Sequence, residues 1–209
     1  MISLPADGES WGDRVMSEPI KYTLTERDAL IIVDVQNDFC PGGALPVAEG
    51  DAVVAPLNGV MDKFSLVVAT RDWHPPHHCS FRGEGGLWPP HCVQGTRGAE
   101  FHPELKVAGI HLEVRKGMDE GQEAYSGFEG EPSLADLLQS HEVERVFVGG
   151  LATDYCVKAT VLDALRHGFQ AVVLTDAIRA VDANPGDGEK ALAEMQEAGA
   201  ALATTEQIA

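Results

Sequence analysis

The strongest constraint on this chain is a rhythm. Short runs of branched aliphatic residues return at 29–33 (ALIIV), 66–69 (LVVA), 111–114 (HLEV), 145–148 (RVFV) and 171–174 (AVVL), with longer stretches of helical period between them. Runs so short and so continuously apolar suit strands covered on both faces, and their alternation with helices is the pattern of parallel strands joined by crossovers. The expected fold class is therefore α/β, with a weak last strand near Ala201. Helices are expected over 51–63, from Ser133, over 157–167 and over 189–198. Ser133 and Asp136 have capping-box spacing, and the last two helices stop at Gly168 and Gly199. A length of 209 residues with no linker-like stretch suits one core. Residues 73–103, rich in Pro, Gly and His, form one long irregular segment, and loops of that length usually carry function.

Asp and Glu outnumber Lys and Arg by 33 to 15, a formal charge of −18, so a phosphate backbone would be repelled and nucleic acid is not an expected partner. The excess reads as a solubilising surface. The N-terminal stretch MISLPADGESWGDRV lacks a basic n-region and an apolar h-region, and no apolar run reaches bilayer length, so no membrane association is expected and the location expected is the cytoplasm. The four cysteines, Cys40, Cys79, Cys92 and Cys156, lack C-x-x-C spacing and are expected reduced. A homo-oligomer is left open.

In an open parallel sheet, ligands bind beyond the carboxyl ends of the strands. Asp34, Asp72, Lys116, Cys156 and Asp176 each follow an aliphatic run, and the five are expected to meet at one rim. A thiol needs a base or a positive field to become a nucleophile. Cys156 lies where a turn enters the helix expected from Val157, so the helix N-terminus should favour thiolate, while Asp34 can take the proton and Lys116 can support charge. Backbone N–H groups of GLATDYC, including that of Cys156, would face an oxyanion, which makes acyl transfer the natural reaction. Singly, a free Cys is more often a buried core residue, and an Asp or Lys after a strand a cap or solvated end. The joint placement favours catalysis.

A second constellation is Asp72-x-His74 with His91 in WPPHC. Residues two apart in an extended segment point to one side, and two imidazoles with one carboxylate suit Zn²⁺, although Fe²⁺ and Mn²⁺ accept the same donors. His78 is read either as a fourth ligand or as a group behind the ligands, and His77 as surface. Cys79 and Cys92 are expected to be buried rather than to hold a structural zinc.

These residues stand in ALIIVDVQNDFCPGGALPV, VVATRDWHPPHHCSF, LWPPHCVQGTRGAEFHP, VRKGMD, AYSGFEG, VFVGGLATDYCV and AVVLTDA, which together span almost all of 28–177. The set resembles the cysteine hydrolases of the isochorismatase-like superfamily, and within it the nicotinamidases, also called pyrazinamidases. The resemblance implies a three-layer α/β/α fold with a mostly parallel central sheet over 25–209, preceded by an extension at 1–24. It implies a triad of Asp34, Lys116 and Cys156, metal ligands Asp72, His74 and His91, and nicotinamide as small-molecule substrate. It further implies Phe39 and Trp88 around a pyridine ring, Tyr125 in the pocket wall, Ala152 with Cys156 as oxyanion hole, and a cis peptide between Ala152 and Thr153.

Overall fold

The computed structural model describes residues 21–209. Six strands, β1 (Asp28–Val33), β2 (Leu66–Asp72), β3 (Leu112–Lys116), β4 (Arg145–Leu151), β5 (Gln170–Arg179) and β6 (Ala201–Ala203), form one sheet in the order β3-β2-β1-β4-β5-β6. Every pairing in it is parallel. Successive side chains of a strand point to opposite faces, so β1 feeds two cores at once. Leu30 and Ile32 join the core that buries Val54, Leu57 and Val60 of helix α1 (Val54–Val60). Ala29, Ile31 and Val33 join the opposite core, with Leu134 and Leu138 of α2 (Leu134–Ser140), Val161 and Ala164 of α3 (Lys158–Arg166) and Met195 of α4 (Asp187–Glu197). That is the three-layer α/β/α arrangement.

The helix expected over 51–63 is divided. A 3₁₀ turn at Gly50–Val53 precedes α1 and another at Met61–Lys63 follows it. Pro56 has no N–H to donate and fits only the first turn of an α-helix, so regular helix begins just ahead of it. Ser133 Oγ accepts the Asp136 N–H at 3.2 Å and caps α2, as its spacing suggested. The extension at 1–24 lies mostly outside the described residues. Its last part is joined to the domain, because Tyr22 bridges Ile208 and sets its ring edge-on against Phe147. Among the described residues no helix is long and apolar enough to cross a membrane.

The strand order fixes where a ligand can sit. From β1 the chain winds outward through β2 to β3, then returns to the other side of β1 as β4, so the crevice beyond the tips of β1 and β4 is the switch point of the sheet. Gly150 closes this junction. It pairs with Val33, has φ +122°, and a Cβ there would stand 2.1 Å from the Val33 carbonyl oxygen. The cis peptide lies between Leu151 and Ala152, one bond earlier than expected, because β4 keeps its pairing with β5 through Leu151 and the chain turns immediately after it. Gly150→Ala should lower the unfolding free energy by about 1–3 kcal/mol, as overpacking a filled interior does. Denaturant titration checks this, and a variant as stable as wild type would show that β1 and β4 do not need so close an approach.

Candidate active site

Parallel register brings the chemistry together. Asp72 ends β2 directly beside Lys116, which ends β3. Asp34 follows β1 with φ +48°, donates its N–H to the Thr70 carbonyl, and accepts the Thr70 hydroxyl on Oδ1 at 2.7 Å. Cys156 lies in the π-helical turn Thr153–Val157 between β4 and α3. Lys116 Nζ is the hub of the group. It is 2.9 Å from Asp34 Oδ2, forms an ion pair and hydrogen bond with Asp72 Oδ1, reaches Cys156 Sγ at 3.4 Å and donates to the Ala124 carbonyl at 3.3 Å. The side chains of Lys116 and Asp34 are wholly buried. Four of the five expected rim residues therefore meet, Asp34, Asp72 and Cys156 around the Lys116 ammonium.

Asp176 does not. Between Val148 and Gly150 the β4–β5 register slips, and Asp176 lies in the stretch of β5 displaced by that bulge. Its carboxylate accepts the N–H and hydroxyl of Thr205 at 2.9 and 2.5 Å, so it anchors the C-terminal segment instead.

Burial sets the protonation balance. It disfavours the Lys116 ammonium, yet the Asp34 and Asp72 carboxylates outweigh that and hold the group well above its usual range. Burial pushes Asp72 up, but Lys116 and the His74 contact bring it well below the ordinary carboxylate range. Asp34 is raised, because burial exceeds the help it receives from Lys116. For Cys156, burial pushes the thiol up, Lys116 opposes this, and Asp34 and Asp72 add to it. Enclosure and the two carboxylates thus work against the thiolate that the helix N-terminus was expected to favour. Burial also raises Cys40, to about 11, and Cys92. What distinguishes Cys156 is the carboxylate and the ammonium beside it, not the acidity of its thiol.

Beside the triad, ligand atoms of Asp72, His74 and His91 lie within 4.8 Å of one another. His74 Nδ1 is 2.9 Å from the Gly117 carbonyl oxygen and His91 Nδ1 is 2.8 Å from that of Pro89. Each carbonyl can only accept, so Nδ1 of each ring is the donor there and Nε2 is the atom turned toward the other ligand groups. His74 Nε2 is 3.4 Å from Asp72 Oδ2, and burial keeps His91 below its usual pKa and hence neutral. Two lone pairs and one carboxylate oxygen, already oriented, fit a divalent cation with open positions. Asp34, Asp72 and Cys156 also stand within 4.8 Å of one another, but the Lys116 ammonium already supplies their positive charge.

His78 stands behind this set. Its Nδ1 is 2.7 Å from Ser80 Oγ, its Nε2 is 3.0 Å from the Gln122 carbonyl oxygen, and its ring stacks on His74 with centroids 4.1 Å apart. Both of its nitrogens are therefore engaged by protein groups. His77 is exposed beside Glu84, Cys92 is buried, and Cys79 is only half-buried.

A cleft opens over the sulfur, lined by Phe39, Trp88, Tyr125 and Ala152 as expected, with Asp72, His91 and Cys156 at its polar end. Trp88 Nε1 donates to the Tyr125 hydroxyl at 3.1 Å. Sequence reasoning missed Tyr155, which meets Trp88 edge-on at 5.2 Å, and the apolar wall of Leu45, Val47 and Val181. It also missed Gln36, wholly buried, whose amide donates to the Asp72 carbonyl at 2.9 Å and accepts the Asp72 N–H at 2.9 Å. Gln36 is two residues from Asp34 on the same extended segment, and that alternation was the available signal.

Residues 28–207 match the family model for the isochorismatase domain. The chain belongs to the isochorismatase family. Within it, the nicotinamidase of Escherichia coli (strain K12) is 42% identical, over 84% of this chain and 94% of that protein. The structure of PnC1 from L. infantum in complex with nicotinate is 40% identical with a TM-score of 0.86, covering 91% of this chain and 99% of that one. The pyrazinamidase of Pyrococcus horikoshii in complex with zinc is 48% identical with a TM-score of 0.79, covering 85% and 99%.

The site holds a buried ion cluster, and removing the cation leaves two buried carboxylates uncompensated. Lys116→Ala should cost about 3–5 kcal/mol of stability, measured by denaturant unfolding. A loss below about 1 kcal/mol would mean that Asp34 and Asp72 are neutralised in another way.

Proposed function

We propose that this chain is an amidohydrolase acting on linear carboxamides, which hydrolyses nicotinamide and pyrazinamide to the corresponding acid and ammonia and so serves pyridine nucleotide salvage. The observation that carries the reading is the position of the Cys156 sulfur. It lies at the floor of an aromatic-walled cleft, 3.4 Å from the Lys116 ammonium and beside Asp34, with the Asp72, His74 and His91 set on its flank. The curated nicotinamidase relatives support the same substrate.

In the proposed reaction Phe39 and Trp88 hold the ring between them, and the carboxamide carbon comes to Sγ. Asp34 takes the thiol proton as sulfur attacks the carbonyl, and the N–H groups of Ala152 and Cys156 receive the oxyanion. Lys116 holds Asp34 in place and steadies the negative charge on sulfur. As the C–N bond breaks, Asp34 returns its proton to the leaving nitrogen, which departs as ammonia and leaves a thioester. Asp34 then takes a proton from water as its oxygen adds to the thioester carbonyl. Cleavage of the C–S bond releases the acid, and the proton returns to sulfur.

Asp72, His74 and His91 are the residues that would hold the cofactor, a divalent cation for which Zn²⁺ is the best fit and Fe²⁺ or Mn²⁺ the alternatives. Once bound, it would act as a Lewis acid that orients the ring through its nitrogen. We place the enzyme in the cytoplasm, a reading supported by the four free thiols.

Acid-quenched turnover of nicotinamide should yield a Cys156 peptide carrying a nicotinoyl thioester by mass spectrometry, and Cys156→Ala should lose roughly 10⁴-fold or more in kcat. Full ammonia release by Cys156→Ala would replace this mechanism with direct attack by water.

A further inference from the structure

One carboxylate that the reaction does not use joins the two halves of the site. Asp38 Oδ2 accepts the backbone N–H of Cys92 at 2.8 Å, and Oδ1 accepts that of Ala44 at 3.0 Å. Its own carbonyl accepts the N–H of Leu45 at 3.0 Å. Phe39 and Leu45 are walls of the cleft, so on this side Asp38 ties down the segment that shapes the ring pocket. On the other side it reaches, through Cys92, the segments that carry both imidazoles. Cys92 follows His91 directly, and the Cys92 carbonyl accepts the backbone N–H of His74 at 3.0 Å. Cys92 is buried and has φ +45°, a conformation that a residue with a Cβ keeps only when its surroundings hold it. The space for the carboxylate is reserved by a glycine: a Cβ on Gly98 would lie 2.0 Å from Asp38 Oδ2.

We infer that Asp38 is a positioning residue that couples cation binding to the shape of the ring pocket, by fixing the His74 and His91 segments and the Phe39–Leu45 wall through one carboxylate. This rests on the reading that Asp72, His74 and His91 hold a divalent cation. Partners that orient metal ligands without touching the metal commonly contribute 10- to 100-fold to its affinity. Here the same group also orders the substrate wall, so a change at Asp38 should weaken both ligands together.

Two variants disturb the carboxylate in different ways. Asp38→Asn keeps its size but turns one acceptor into a donor facing a backbone N–H, and Gly98→Ala leaves Asp38 intact but pushes it aside. Zn²⁺ affinity is measured by competition with a chromophoric chelator. Nicotinate affinity is then measured by titration at saturating Zn²⁺, with circular dichroism as the check on folding. The expected result is roughly 10-fold or greater weakening of Zn²⁺ in each folded variant, with weaker nicotinate binding even when zinc is saturating. If Asp38→Asn fails to fold, Gly98→Ala decides the matter alone. Zn²⁺ affinity within twofold of wild type, or weakened zinc with unchanged nicotinate binding, would overturn the inference. Wild-type protein that binds no Zn²⁺ would instead overturn the metal reading on which it rests.

Discussion

The site depends on a single ammonium held out of water. Lys116 is buried among two carboxylates and a thiol, and none of the three charges would persist there without the others. A lone buried carboxylate would take up a proton, and a lone buried lysine would lose one. Together they form a charge cluster whose geometry the protein cannot relax cheaply, because Asp72 and Lys116 are fixed by sheet register and Asp34 and Cys156 by the turns that follow β1 and β4. Asp72 has a further part in it. One of its oxygens faces Lys116 and the other faces His74, so the carboxylate is shared between the reacting thiol's surroundings and the cation-binding set.

The sheet supplies the rigidity this arrangement needs. Because Asp72 and Lys116 pair across β2 and β3, and Val33 pairs with Gly150 across β1 and β4, the tips that carry the chemistry cannot slide relative to one another without breaking a ladder. The return of the chain across β1 opens the crevice between those tips. The irregular segment from Trp73 to Pro103 then folds over that end, supplying Trp88 and His91 to the cleft. Rigid strand tips thus carry the reacting groups, while loops shape the space above them.

Much of this was legible in the sequence, for definable reasons. Strands of a parallel sheet covered on both faces must be apolar throughout, so 29–33 and 145–148 stood out without any alignment. Polar residues that end such runs are few, so Asp34, Asp72 and Lys116 could be picked out by position alone. The same rule placed Asp176 wrongly, because a register slip inside β5 is a property of two strands and leaves no mark in one. The pocket wall was hidden for a related reason. Leu45, Val47 and Val181 look like any core residue until the fold turns them toward a cleft, and Tyr155 beside the nucleophile carries no chemical signature of its own. The helix terminus near Cys156 is visible in a sequence, whereas the enclosure that opposes a thiolate there is not. The partners of His78, Ser80 and Gln122, were likewise not legible in the sequence.

At the centre of the account is the transfer of the thiol proton to Asp34. Rapid-quench measurement of thioester formation in Asp34→Asn addresses this most directly, with zinc content determined on the same sample. The account predicts normal zinc content and a thioester that fails to accumulate within the wild-type turnover time. Thioester formation at the wild-type rate in that variant would contradict it.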